Sequence, residues 1–362
     1  MNEDRSSRYH RLKRQTGIVS VVWSVVLLAG LLWSGASAAL RDLAGAGIFA
    51  IVVYVGLLLL LHELGSLPLA FYSGFLLERR YGLSREPLGR WLLDQVKSFA
   101  IGLLLSSIGA AIVYGLIRLS PDRWWLPAGL VFALLIVGLA NLAPVLLLPL
   151  FYRVKPLDRE ALHARLLSLA ERAGARVLGA YEWGLSEKTR KANAALTGIG
   201  ATRRILVSDT MLAEYSDEEI EVVLAHELAH HVHGDIWKGI AFESLLILAG
   251  FYLASRALAG LAPVFGLRGV SDVAGLPLLV LCAGAVSFVM VPVAHAMSRA
   301  FERSADRFAL TLTGNPAAFV SAMKRLAAQN LAEEHPSKIV QLLFYSHPPV
   351  RERIAAAQAF KA

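Results

Sequence analysis

Long apolar runs alternate with polar, basic intervals along the chain. Residues 1–16 are polar and carry Arg5, Arg8, Arg11, Lys13 and Arg14. An apolar run follows from Ile18 to about Ala39. It is long enough to cross a bilayer and longer than the core of a signal peptide. It ends in Ala36-Ser37-Ala38, a faint likeness to a signal-peptidase site, and we read it as an uncleaved first span. Runs at about Ala46–Leu77, Phe99–Leu119 and Trp124–Phe151 predict further spans, the last kinked around Pro127, Pro144 and Pro149. His62 and Glu63 interrupt the second run, and Asn141 the fourth. Ionisable groups at such depth face a cavity or another helix. The fifth and sixth runs are about Gly239–Ala262, with Glu243 near its start, and Ala274–Met297. No Gly or Pro stands between Met297 and Leu312, so the sixth span is expected to continue as one helix through Ser298–Asp306.

The polar intervals carry shorter periodicities. Leu157–Ala173 reads as an amphipathic helix, Ala175–Trp183 and Arg204–Ser208 as strands, and 78–97 as a basic amphipathic loop. Ser216 with Glu219 three residues on is a capping box, which starts a helix there. The expected fold is mainly α: a multi-pass membrane helical bundle of about six spans, with a soluble domain carrying a small β-sheet. Its parts are a tail (1–16), a four-span region (17–151), a soluble domain (152–238), two further spans (239–297) and a C-terminal portion (298–362).

Composition agrees with the membrane reading. Of 362 residues, 56% are apolar and 18% charged, and the mean hydropathy is +0.54. Soluble domains run nearer a quarter charged. The net charge of +8 does not point to nucleic acid, because no nucleic-acid motif accompanies it. The basic residues lie beside the apolar runs, where they orient spans and meet anionic lipid. The tail and the 78–97 loop are rich in them, whereas Arg41, Arg123 and Arg268 stand alone in their loops. Positive-inside then puts both termini, the 78–97 loop and the soluble domain in the cytoplasm. The lone cysteine, Cys282, excludes an intrachain disulfide and a thiolate metal cluster.

The chemistry lies in His226-Glu227-Leu228-Ala229-His230. On a helix, His226 and His230 project from one face and can hold one zinc ion, with Glu227 beside them as a base for a zinc-bound water. A catalytic zinc takes a third protein ligand. A metzincin pattern needs Gly at 233 and His at 236, where this chain has His233 and Ile236. Glu302, with Asp306 four residues later, has the spacing of a thermolysin-like third ligand, Asp306 orienting a ligand imidazole from behind. Glu243 lacks such an aspartate, and His231 and His233 lie on other faces of the motif helix. Both metal-bearing segments run into spans, so the zinc is expected at the cytoplasmic membrane boundary, facing a membrane-associated substrate.

These residues resemble the integral-membrane zinc metallopeptidases typified by the type I CAAX prenyl endoprotease, with HtpX-like quality-control proteases as more distant relatives. The likeness covers nearly the whole chain: Leu67-Pro68, Glu78 to Gly82, Asn193-Ala194 with Thr197-Gly198, Arg204 to Thr210, the zinc motif, Ser298 to Asp306, and Ser346-His347-Pro348-Pro349 with Arg353. Ala195 stands where the family commonly has an aromatic. The resemblance implies that Asn193 and Ala194 bind substrate backbone beside an edge strand, and that His347 and Arg353 stabilise the oxyanion. It implies a zinc cofactor and a membrane-associated, possibly lipidated peptide or protein substrate. The other readings are general proteolysis of misfolded membrane proteins, and a transporter or scaffold with a structural zinc.

Overall fold

A computed structural model describes residues 4–47, 49–198 and 203–361; the turn expected before Arg204 and the side chains of Asn141, Pro144 and Val145 lie outside the described residues. All six apolar runs form helices. The first half holds α1 (Arg5–Trp33), α2 (Ala36–Ala44), α3 (Ala50–Ala70), a π-helical passage Phe71–Leu76 into α4 (Leu77–Arg80), α5 (Leu88–Leu119), α6 (Trp125–Leu146) and α7 (Leu148–Phe151). Among the described residues, five helices are long and apolar enough to cross a membrane: Arg5–Trp33, Ala50–Arg80, Leu88–Leu119, Asp235–Leu261 and Val273–Thr313. The fourth run forms α6, whose apolar stretch Trp125–Ala140 is shorter than a span, so five of the six expected spans are found among the described residues.

Two boundaries differ from expectation. The tail is helical from Arg5, because α1 continues upstream of its apolar run, capped by Asp4 accepting from the Ser6 backbone N–H. The 78–97 interval is largely helix as well: only 81–87 break it, after which Pro87 leads into α5. His62 reaches another helix of the bundle, whereas Glu63 stays within its own, accepting from Ser66 Oγ at 3.0 Å. His62 Nε2 lies 2.9 Å from Ser24 Oγ on α1, and its carbonyl accepts from Trp23 Nε1 at 3.2 Å.

The second half opens with β1 (Val154–Pro156), α8 (Glu160–Arg172), β2 (Ala180–Trp183), β3 (Ala194–Thr197), β4 (Arg204–Ser208), α9 (Asp209–Glu214) and α10 (Asp217–Val232). The strand expected from Ala175 begins at Ala180. The sheet order is β1-β2-β4-β3, with β2 and β4 parallel and the outer pairs antiparallel, so β3 is an edge strand. Ala194 and Leu196 face the core, where they meet Leu162, Leu166, Ile205, Val207, Leu224 and Leu228. Period-2 alternation therefore turns Ala195 and Thr197 to the opposite face.

Three helices then fix the site. α10 carries the capping box: Ser216 Oγ accepts from the Glu219 N–H, and Glu219 Oε2 accepts from the Ser216 N–H at 2.9 Å. α11 (Asp235–Leu261) follows after only His233 and Gly234. Gly234 has φ 68°, a left-handed value that favours glycine and ends one helix while starting the next. α12 (Leu276–Thr313) is a single helix from the sixth run through Asp306, as expected. α13 (Pro316–Gln329), α14 (Lys338–Phe344) and α15 (Val350–Gln358) complete the chain.

Glu219 is buried and also receives Arg325 Nε at 2.9 Å and Ser321 Oγ at 2.5 Å, so the cap joins α10 to α13. Ser216→Ala should destabilise the fold by ~1 kcal/mol, the usual loss of an N-cap. Glu219→Ala should cost more, since it also strips Arg325 and Ser321 of their acceptor. Unfolding in detergent, followed by helical circular dichroism, tests this order; equal midpoints for the two variants would contradict it.

Candidate metal centre and peptide groove

α10 and α12 cross so that His226, His230 and Glu302 meet. One donor atom from each lies within 4.8 Å of the others. Glu302 Oε2 is 3.2 Å from His226 Nε2, and Glu302 Oε1 is 3.4 Å from His230 Nε2. The two imidazole planes stand at 87°, with centroids 5.0 Å apart. Each Nδ1 is engaged on the far side. His226 Nδ1 lies 2.9 Å from Asp306 Oδ1, and His230 Nδ1 lies 3.1 Å from Asp235 Oδ2. A carboxylate can only accept from a neutral imidazole, so each aspartate holds the proton at Nδ1 and turns an Nε2 lone pair towards Glu302.

Lone pairs on two imidazoles and a carboxylate then face one another, an arrangement that requires a cation between them. Glu302 Oε2 is moreover buried without a well-formed hydrogen bond. Two imidazole nitrogens and one carboxylate oxygen are the donor set of a catalytic zinc. The residues present therefore fit the metal. When no metal fills the gap, a proton serves instead. Burial disfavours the charged His226, but hydrogen bonds to Asp306 and Glu302 outweigh it and hold its pKa up to about 9. His230 is raised for the same reasons, burial opposing and Glu302 prevailing.

Glu227 sits on the next step of α10. Burial pushes its carboxyl pKa up, opposed by the neighbouring His226 and His230. A carboxylate so tuned can both take and release a proton. Arg353, on α15, grips Asp306 with two bonds, Nε to Oδ2 at 2.8 Å and Nη2 to Oδ1 at 2.5 Å, and lies 3.9 Å from Glu302. His347 Nε2 lies 3.2 Å from Glu302 Oε1, so the 345–349 loop, in which His347 is exposed and Pro348 and Pro349 are buried, leans over the same point. Of the residues singled out in sequence, Arg353 and His347 thus join the metal cluster. Glu243 is in the spanning helix α11.

Asn193 and Ala194 stand at β3. Asn193 is exposed; its N–H donates to Ser208 Oγ and its carbonyl accepts from the Ser208 N–H, both at 2.9 Å. In the antiparallel ladder this alternation turns the backbone groups of Ala194 and Leu196 to the outer edge. The Ala194 side chain is buried, so only its backbone can meet a ligand. His231 ties the Leu196 end of this edge to α10, its Nε2 lying 3.3 Å from the Leu196 carbonyl, and leaves the Ala194 end open to a ligand. Burial lowers the His231 pKa and keeps the ring neutral, with Nε2–H as donor. The free edge of β3 thus runs alongside the metal-bearing helix.

Sequence reasoning missed Asp235 and the positioning role of His231. Asp235 is buried and shares its carboxylate between His230 and Lys238 Nζ at 3.0 Å. Its only local signal is a Gly-Asp pair just after the motif helix, and that becomes informative once Gly234 is known to fold it back. His233 is 3.3 Å from Ser304 Oγ through Nδ1, away from the metal point.

Two family models divide the chain. Residues 2–153 match the CAAX prenyl protease N-terminal region of five membrane helices, and residues 156–361 match peptidase family M48. An uncharacterized metalloprotease, YhfN of Bacillus subtilis, is 33% identical over 361 residues, covering 98% of this chain and 84% of that protein. CAAX prenyl protease 1 of Saccharomyces cerevisiae is 28% identical, over 84% of this chain and 71% of its own length. The crystal structure of S. mikatae Ste24p superposes with a TM-score of 0.88 at 22% identity, over 98% of this chain and 88% of that one, so the fold is the same. With its apolar half, its His-Glu-x-x-His half and a near full-length metalloprotease relative all agreeing, this chain belongs to peptidase family M48, as a multi-pass membrane metalloprotease.

Proposed function

We propose that this metalloprotease uses zinc, held by His226, His230 and Glu302, to hydrolyse peptide bonds of membrane-associated chains, including prenylated CAAX-type peptides, on the cytoplasmic side of its membrane. The observation that carries the reading is the junction at Gly234: the motif helix ends two residues before a spanning helix begins, and its His230 is braced by that helix's first residue, Asp235. A bond cut there belongs to a substrate close to the bilayer. The basic tail and the Arg79, Arg80, Arg85 and Arg90 interval support the cytoplasmic side. The prenyl specificity rests on the names of relatives such as the yeast CAAX prenyl protease 1.

Zinc, when bound, supplies a Lewis acid for the scissile carbonyl and acidifies a water. The chain's own residues do the rest. The substrate lies extended on the free edge of β3, exchanging backbone hydrogen bonds with Ala194, while the Asn193 side chain reaches its backbone from the strand's start. Glu227 takes the proton of the attacking water and passes it to the leaving amine. His347 donates to the oxyanion as it forms. Arg353 holds Asp306, which holds His226, and adds positive charge beside Glu302. The general base separates this reading from a structural zinc, which needs a closed four-ligand set and no base.

Glu227→Gln should keep one zinc per chain and lose peptidase activity by about 10²–10⁴-fold, the usual weight of a positioned base. Full activity in that variant, measured on a farnesylated peptide with parallel metal analysis, would sink the mechanism. The unmodified peptide and a misfolded membrane protein serve as competing substrates in the same assay: faster cleavage of the misfolded protein favours the quality-control role. Zinc affinity should also depend on pH. The metal-free His226 has its pKa raised, so the proton competes with zinc; affinity is full above about 9 and falls as the pH drops through that value. Chelator competition between pH 6 and 10 reads the slope, and an affinity flat down to the ordinary histidine range near 6.5 contradicts the cluster's electrostatics.

A further inference from the structure

We propose that the cytoplasmic end of α1 is part of the active-site support: Arg14, through Glu333 and Tyr345, positions the loop that presents His347. The inference rests on the role given to His347 above. Several observations converge on that loop. Glu333 is buried, and its Oε2 receives both Arg14 Nη1 and the Tyr345 hydroxyl at 2.5 Å. Tyr345 is two residues from His347, whose Nε2 is 3.2 Å from Glu302. The backbone of the same loop is held from the metal-bearing helix. Arg299, one turn before Glu302 on α12, donates through Nη1 to the carbonyls of Gln341 at 2.9 Å and Tyr345 at 2.7 Å. Tyr345 is therefore gripped by its ring end from α1 and by its carbonyl from α12.

The turn that delivers Glu333 also depends on α1. Leu331 has φ 54°, the left-handed region, and is the only non-glycine residue there among the described residues. A branched side chain holds that conformation only where its surroundings impose it. Here His10 Nε2 lies 2.9 Å from the Leu331 carbonyl, and the Leu331 side chain packs with Tyr9, Leu77 and Tyr81. Asn330, just before it, accepts from the Ala192 N–H at 3.1 Å, beside the peptide-binding edge. Four residues on one face of the first helix, Tyr9, His10, Lys13 and Arg14, thus lie against groups that lead to the catalytic loop or to Glu78. This is more than a lipid-anchoring basic tail requires. Arg14 and Glu333 are 319 residues apart in sequence.

Tyr345 and Arg14 touch neither substrate nor metal, so they are positioning residues, and their effect must pass through His347. Tyr345→Phe, which removes only the hydroxyl, should lower kcat ~10-fold with KM and zinc content unchanged, because an oxyanion donor acts in the transition state. His347→Ala alone should cost about 10²–10³-fold and leave measurable turnover. In that background Tyr345→Phe should cause no further loss. An equal tenfold loss in both backgrounds, or none in either, overturns the proposal. Hydrogen exchange gives a readout independent of turnover: Arg14→Met should speed exchange in a peptide covering 342–352, while the β4 amides stay protected. Unchanged exchange there overturns the proposal even if the chain cleaves no peptide, whereas absence of turnover in the wild type, with faster exchange in the variant, counts against the peptidase reading alone.

Discussion

The molecule is built around a repulsion. Two imidazole lone pairs and a carboxylate are brought within a few ångströms of each other inside the protein, where charge is poorly screened. Such an arrangement survives only with a cation at its centre and with rigid groups behind each member. The groups behind are visible: Asp306 and Asp235 on the two rings, and Arg353 on Asp306. Buried carboxylates alternate with buried cationic or cation-seeking groups from one side of the site to the other. Removing one partner leaves its neighbour uncompensated, so the cluster is a unit and not a sum of pairs.

That unit is assembled from distant stretches of chain, and helix continuity does most of the assembly. α12 is one helix from the apolar run through Glu302 and Asp306, so a span and a ligand share one rigid body. α10 is started by its capping box and stopped at Gly234. The small sheet contributes little bulk, but it sets one strand at an edge, and His231 ties that strand to the metal helix. The edge strand β3 and the metal-ligand cluster are thereby held in one register.

What was legible in the sequence was what is local. The capping box involves residues three apart, the two histidines share a helical face, and Glu302 with Asp306 does the same. The apolar runs announced themselves by length. What was hidden depends on partners far away. β1 and β3 have three and four residues and lie at the two edges of the sheet, where they exist because β2 and β4 offer them partners. Asp235 reads as an ordinary helix-start acid until the turn at Gly234 folds it onto His230. The polar residues before Ile18 read as a tail because their helix is completed by Glu78, Leu331 and Glu333, none of them near in sequence. Family likeness supplied His347 and Arg353, whose local settings, a Pro-Pro loop and a helix charge, carried no chemistry of their own.

The joint at His233-Gly234 has a mechanical meaning as well as a geometric one. A long linker would let a protease domain sway over the membrane and sample bonds at many heights. A joint of two residues, one of them already the cap of α10, has no slack to pay out. The metal-ligand cluster is held at a fixed distance from the start of α11, like a blade bolted to a bench, so whatever meets it must be brought to it and cannot be reached by a swing of the domain.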